Sequence, residues 1–271
     1  MVEVIHWNPR RNRIPVLRRY RVGPRVGNFG DLLGPLVVAA IRRSEAIAGR
    51  GDGRRLLAVG SILHLARDGD VIWGSGVNGK IPVGQHRFTA VDVRAVRGPL
   101  TRDWLRDEKG IEAPEVYGDP ALLLKLVRPD LFDGDPGPRR GLTIVPNLND
   151  HARMSAHAAT IDPRRPVHEV VRAIRSSDVV VASSLHGIVV AELAGVPVVP
   201  VASSGSGARG PEPLFKYEDY FRGTGRAVPQ FAPDLETAIE WAGSAPAPDL
   251  QVAPIADRLM AAFPRDVWRA A

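Results

Sequence analysis

Short apolar runs rich in β-branched residues alternate with helical runs along most of the chain, and the alternation stops once and then restarts. Residues 2–7, 56–59, 71–73 and 91–96 predict strands, while residues 32–43 and the stretch from Pro99 to Lys109 predict helices. Tyr117-Gly118-Asp119-Pro120 marks a strand-to-turn junction, followed by a helical run over 121–126. Residues 130–140 hold Gly134, Pro136, Gly137 and Pro138, the strongest linker in the chain. Beyond it, residues 142–145, 178–182 and 196–201 predict strands, and 167–175 and 185–194 predict helices, the second stopped by Gly195 and Pro197. Continuous apolar strands between helices argue for a parallel α/β sheet in each half. The expected fold is therefore two Rossmann-like parallel-sheet domains facing a cleft, over 1–132 and 139–235. Helical segments at 234–243 and 255–263 remain, and the tail over 236–271 is expected to pack back on the N-terminal domain.

The 271 residues contain no cysteine, which excludes disulfides, Cys-ligated zinc, iron–sulfur clusters and a thiol nucleophile. Residues 1–7 lack a basic segment leading into a long apolar one, and no apolar run reaches the roughly 18–20 residues of a membrane helix. A cytoplasmic chain is expected. The net charge is +6, carried by thirty-two arginines and only four lysines. Residues 10–25 hold Arg10, Arg11, Arg13, Arg18, Arg19, Arg21 and Arg25 with no acid among them. They read either as a solvated loop or as a surface for anionic lipid head groups or a polyanion, the former placing the chain away from, the latter at, the inner face of the membrane.

Several constellations fall where ligands bind in open α/β sheets, at the carboxyl ends of strands. In Ser183-Ser184-Leu185-His186-Gly187 a buried strand ends in two serines, and His186 follows in the first helical turn. A helix N-terminus attracts anions, and an imidazole there can bind phosphate or exchange a proton. Gly187 permits close approach of a ligand. A capped helix with a structural histidine explains the same residues. Arg97, at a strand end before Gly98-Pro99, suits a phosphate or carboxylate clamp or else a salt bridge. Lys216 stands between aromatics in Phe215-Lys216-Tyr217, after a glycine-rich stretch over 203–210 that reads as a lid. Asn28, Asp31, Ser75, Asn78, Asp119 and Asn147 lie at further strand ends or helix starts, where capping alone would account for them. Gly74-Ser75-Gly76-Val77-Asn78-Gly79 satisfies a dinucleotide-binding spacing, but Lys80-Ile81-Pro82 does not continue as a helix, so it reads as a loop. There is no phosphate-loop, nucleophile-elbow or HExxH motif, and no metal-ligand spacing among the seven histidines.

Taken in order, these segments resemble the polysaccharide pyruvyltransferases, which form pyruvate ketals on bacterial exopolysaccharides, cell-wall polymers and glycolipids. The matching pieces are Gly27-Asn28-Phe29-Gly30-Asp31, Val59-Gly60-Ser61-Ile62, Ile72-Trp73-Gly74-Ser75-Gly76, Val96-Arg97-Gly98-Pro99-Leu100-Thr101, Tyr117-Gly118-Asp119-Pro120-Ala121, Ser183-Ser184-Leu185-His186-Gly187 and Lys216-Tyr217-Glu218-Asp219-Tyr220. The resemblance implies a GT-B-like pair of domains with the donor site in the second. It implies phosphoenolpyruvate as co-substrate donor, no other cofactor and no metal. The acceptor it implies is a sugar diol, free or lipid-linked, and nucleic acid is not an expected partner. It transfers the family's functional residues onto Arg97, His186 and Lys216. Asn28, Asp31, Ser75, Asn78, Asp119, Asn147, Ser183, Ser184, Leu185 and Gly187 are the expected substrate-binding positions. Arg97 and Lys216 would then neutralise the donor, and His186 would act as acid or base. Two other readings compete: a glycosyltransferase using a nucleotide sugar, and a non-enzymatic module binding polyanions through residues 10–25.

Overall fold

The computed structural model describes residues 1–10, 23–203 and 213–268. Arg11, Arg13, Arg18, Arg19 and Arg21 of the basic segment, and the glycine-rich stretch beyond Ser203, lie outside the described residues.

The first half carries β1 (Glu3–Ile5), α1 (Phe29–Ser44), β2 (Arg55–Leu57), β3 (Val71–Trp73), β4 (Asp92–Ala95) and α2 (Pro99–Lys109). Its four strands run parallel in the order β1-β2-β3-β4. A 3-10 turn, Pro120–Leu123, leads into the single-turn helix α3 (Leu124–Val127). The second half carries β5 (Arg140–Val145), α4 (His151–Met154), α5 (Val167–Arg175), β6 (Ser177–Ala182), α6 (Leu185–Ala194) and β7 (Val198–Pro200). Its three strands are parallel in the order β5-β6-β7. Four helical elements complete the chain: α7 (Phe215–Gly223), α8 (Leu235–Ala242), α9 (Val252–Ala261) and a 3-10 turn at Arg265–Trp268. The two parallel sheets flanked by helices are the Rossmann-like α/β arrangement expected. Among the described residues no helix is long and apolar enough to cross a membrane.

Local chemistry explains the key boundaries. Pro99 starts α2, where its missing N–H costs nothing, and Gly110 ends it in the left-handed region at φ 65°. Ser184 caps α6 by accepting a hydrogen bond from the Gly187 N–H. The nine residues from Leu185 to Leu193 are all buried, His186 and Glu192 among them, so α6 lies between layers. Gly187 is what lets it do so. A Cβ there would stand 2.8 Å from Val145 Cγ1 and 3.3 Å from Ala182 Cβ. Gly187 therefore joins helix to sheet, a packing role in place of the ligand approach expected for it.

The two sheets share a core. One continuous apolar cluster takes Phe29, Leu33 and Val37 from α1, Leu122 and Leu123 from the turn after Asp119, Val145 and Val180 from the second sheet, and Ile188 to Ala191 from α6. The tail divides between the halves. α8 packs on β6 and β7, whereas α9 packs on the 120–123 turn, and the Trp73 Nε1–H donates to the Leu259 carbonyl at 2.9 Å. Asp266 accepts from Arg54 and Arg94 at 3.0 and 2.9 Å, tying the last turn to the first sheet.

Candidate active site

The loops following β2, β3, β5 and β6 meet at one cleft of about 340 Å³. The first half supplies Asn28, Asp31, Ser61, His64, Asn78 and Lys80, and the second supplies Asn147, Asn149, His151, Arg164, Ser184, Leu185 and His186. Lys216 enters from α7, which is wedged against both halves. Its Tyr217 hydroxyl donates to the Ser183 carbonyl at 2.6 Å, while Asp219 reaches α2.

His186 is held from two sides. Its Nε2 lies 3.3 Å from Asp119 Oδ2, within ion-pair distance although outside hydrogen-bond geometry, and neither atom has another partner among the described residues. Asp119 is fully buried, and its other oxygen caps the following turn by accepting from the Ala121 N–H at 2.9 Å. That cap fixes the carboxylate that faces the imidazole. On the other side, the ring rests on Gly30, where a methyl would stand 2.5 Å from Nδ1 and 3.0 Å from Cγ. Gly30 thus makes the room in which the imidazole sits, at the start of α1.

Asp31 accepts a hydrogen bond from Asn28 Nδ2 at 2.6 Å. Part of its surface opens into the cleft, yet protein encloses it closely enough that desolvation raises its pKa. The Asn28 hydrogen bond and the nearby His186, Lys216 and His6 oppose that rise. Asp31 is the one carboxylate among the described residues lining the cleft, against Lys80, Arg164 and Lys216 and three imidazoles. Arg164 is partly neutralised by Asp162, to which Nε and Nη2 donate at 2.8 Å each. The balance still favours an anion. Asn78 and Asn147 shape the walls: Asn78 Oδ1 accepts from the N–H groups of Lys80 and Ile81, and Asn147 Oδ1 from those of Asn149 and Asp150.

Other expected site residues lie behind the walls. Arg97 is fully buried: Nε donates to Asp219 Oδ2 at 3.0 Å, Nη1 to Ser61 Oγ at 2.5 Å and Nη2 to the Val77 carbonyl at 2.6 Å. Asp219 also accepts from the Thr101 N–H and hydroxyl, at 2.9 and 2.6 Å. In place of a clamp on a donor, Arg97 forms a polar knot between the first sheet and α7, touching the cleft lining through Ser61. Ser75 is likewise buried, donating to the Gly60 carbonyl at 2.8 Å. Ser183 accepts from the Asn147 N–H at 3.1 Å and does not line the cleft. Gly74 to Gly79 form a loop with no helix after it, as the sequence predicts.

Ser61, His64, Lys80, Asn149, His151 and Arg164 were not singled out from the sequence as site residues. All but Arg164 follow a strand end by a few residues, the same signal that picked out Asn147, and of the six only Ser61 stands in a segment that carries the resemblance.

The family model of polysaccharide pyruvyl transferases matches residues 44–205, more than half of the chain. Arg97, Asp119 and His186 lie inside the matched region, and Asn28, Asp31 and Lys216 outside it. A search of curated proteins finds no match. Among solved structures, a functionally uncharacterized protein from Klebsiella pneumoniae is similar at 13% identity and a TM-score of 0.49, over 77% of this chain and 90% of that one.

Proposed function

Because the chain belongs to the polysaccharide pyruvyl transferase family, we propose that it moves the pyruvyl group of phosphoenolpyruvate onto two hydroxyls of a sugar, forming a pyruvate ketal and releasing phosphate. The observation that carries this reading is a cationic cleft in which His186, backed by buried Asp119, stands beside Lys216 and Asp31. The donor is small and carries both a phosphate and a carboxylate, so it needs fixed cations and N–H groups close together. Lys216, Lys80 and the N-terminus of α6 offer them.

Ketal formation begins when C3 of the enol gains a proton and C2 becomes electrophilic. A sugar hydroxyl adds at C2, the C2–O bond to phosphate breaks, and a second hydroxyl closes the ring. Net, one hydroxyl proton ends on C3 and the other leaves with phosphate. His186 is suited to both transfers. Asp119 faces Nε2 across 3.3 Å and orients the ring. Gly30 makes the room in which the ring sits. The acceptor is a sugar of a polysaccharide, cell-wall glycan or glycolipid precursor.

Calorimetric titration with phosphoenolpyruvate, UDP and GDP tests the donor. Saturable binding of phosphoenolpyruvate alone is expected; binding of UDP or GDP in its place would replace this reading with a nucleotide-sugar glycosyltransferase.

A further inference from the structure

A second concave surface, of about 660 Å³, runs along α5. Four arginines line it, Arg139, Arg140, Arg165 and Arg172, together with His168 and a single carboxylate, Glu169. Two of the arginines are committed: Arg165 Nη1 donates to Glu169 Oε2 at 2.8 Å, and Arg139 pairs with Asp178 at 2.5 Å. Arg140 and Arg172 are exposed and make no side-chain hydrogen bond or ion pair among the described residues. Both stand on regular structure, Arg140 at the head of β5 and Arg172 on α5, one turn beyond His168. From His168 to Arg172 the groove follows α5 for about 6 Å.

The groove and the candidate active site are lined by adjacent residues. Arg164 lines the cleft and Arg165, the next residue, lines the groove. Asp162 fixes this corner, holding the Arg164 guanidinium with its side chain and accepting from the Arg165 N–H at 3.1 Å with its carbonyl. Guanidinium groups thus stand at the corner of the cleft, on α5 and at the start of β5, and define a candidate track.

We infer that this track is an extended acceptor site for an acidic glycan, whose carboxylates pair with Arg172 and Arg140 while a sugar further along the chain occupies the cleft. The inference rests on the pyruvyl-transfer reading. Guanidinium groups match carboxylates in a planar, two-pronged geometry, and several weak contacts along one polymer add up through linkage. An anionic membrane fits the surface less well. The groove is concave, and the large exposed apolar side chains among the described residues, Met1, Val83, Leu126 and Leu214, all lie elsewhere, leaving none to insert into lipid.

The test is binding of polygalacturonate, dextran and phosphatidylglycerol vesicles to the full chain, wild type and Arg140→Gln/Arg172→Gln, with phosphoenolpyruvate titrated separately into each. Polygalacturonate should bind the wild type, with affinity that falls as salt rises, and dextran should not. The double variant should lose about five- to thirtyfold in polygalacturonate affinity and keep its phosphoenolpyruvate affinity. Equal polygalacturonate binding by both proteins, or none by the wild type, overturns the track. Vesicle binding without polygalacturonate binding overturns it in favour of a lipid surface. No phosphoenolpyruvate binding by either protein, with polygalacturonate affinity falling in the double variant as expected, would instead overturn the donor assignment and leave the groove as a polyanion site.

Discussion

Two charged constellations lie on either side of the cleft wall, and they are built in opposite ways. Around Arg97, each of the three guanidinium nitrogens has a protein acceptor, and Asp219 takes up the Thr101 N–H and hydroxyl as well. Around His186, a buried Nε2 and a buried Asp119 oxygen face each other with no other partner, next to a carboxylate whose charge is disfavoured by its enclosure. A saturated network fixes a shape; a buried polar pair left without hydrogen bonds is the exception that calls for a role beyond packing. Both arise from segments that carry the family resemblance, so a motif by itself does not distinguish a residue that reacts from one that holds the wall in place.

The contrast can be broken by substitution. His186→Ala should reduce turnover, read as phosphate release from phosphoenolpyruvate with a panel of bacterial glycans as acceptors, by about 10²–10⁴. Donor affinity should stay within a few-fold, and turnover that survived would remove the histidine from the chemistry. Asp219→Ala should act on the other constellation, leaving the Arg97 guanidinium buried and unpaired. A loss of about 3–5 kcal/mol in unfolding free energy is expected by urea denaturation; a stability near wild type would mean that the knot is not structural.

Smaller changes sharpen it. Gly30→Ala adds one methyl in a helix, where alanine is ordinarily favoured by about 0.5–1 kcal/mol over glycine. Here the methyl must displace the imidazole, so turnover should fall on the order of 10²-fold while the thermal midpoint changes little. Asp31→Asn should have the smallest effect, on stability against pH. Its raised pKa means that the folded chain holds the Asp31 proton more tightly than the unfolded chain does. Ionised Asp31 therefore costs stability at neutral pH, a cost that disappears as pH falls below the ordinary value of 3.8. The asparagine variant should gain stability over wild type at pH 7 and lose that advantage in acid. A pH-independent difference would mean that burial does not act on this carboxylate.

Much of the scaffold is legible in the sequence because it is local. α5 and α6 occupy the residues their apolar spacing and end signals predict, and each strand overlaps its apolar run, with β2, β5 and β6 beginning one or two residues before it and the first sheet's strands trimmed to three or four residues where pairing ends early. The site is half legible. His186, Lys216, Asp31 and Asn147 meet in the cleft because strand ends converge on one edge. The role of Arg97 is not legible, since its partner Asp219 is 122 residues away and only folding brings it there. His151 and Arg164 sit in connections with no periodicity; α4, which begins at His151, is one turn long. That the two sheets share a core is also a tertiary outcome, reflected in α6, whose residues are buried from Leu185 to Leu193.

The most direct test compares the two constellations by a single titration, phosphoenolpyruvate into the wild type, Lys216→Ala and Arg97→Lys. Saturable binding by the wild type is expected, weakened about tenfold or more by loss of the lysine that lines the cleft and less than about threefold by Arg97→Lys. No binding by the wild type, or a loss confined to Arg97→Lys, would contradict the account.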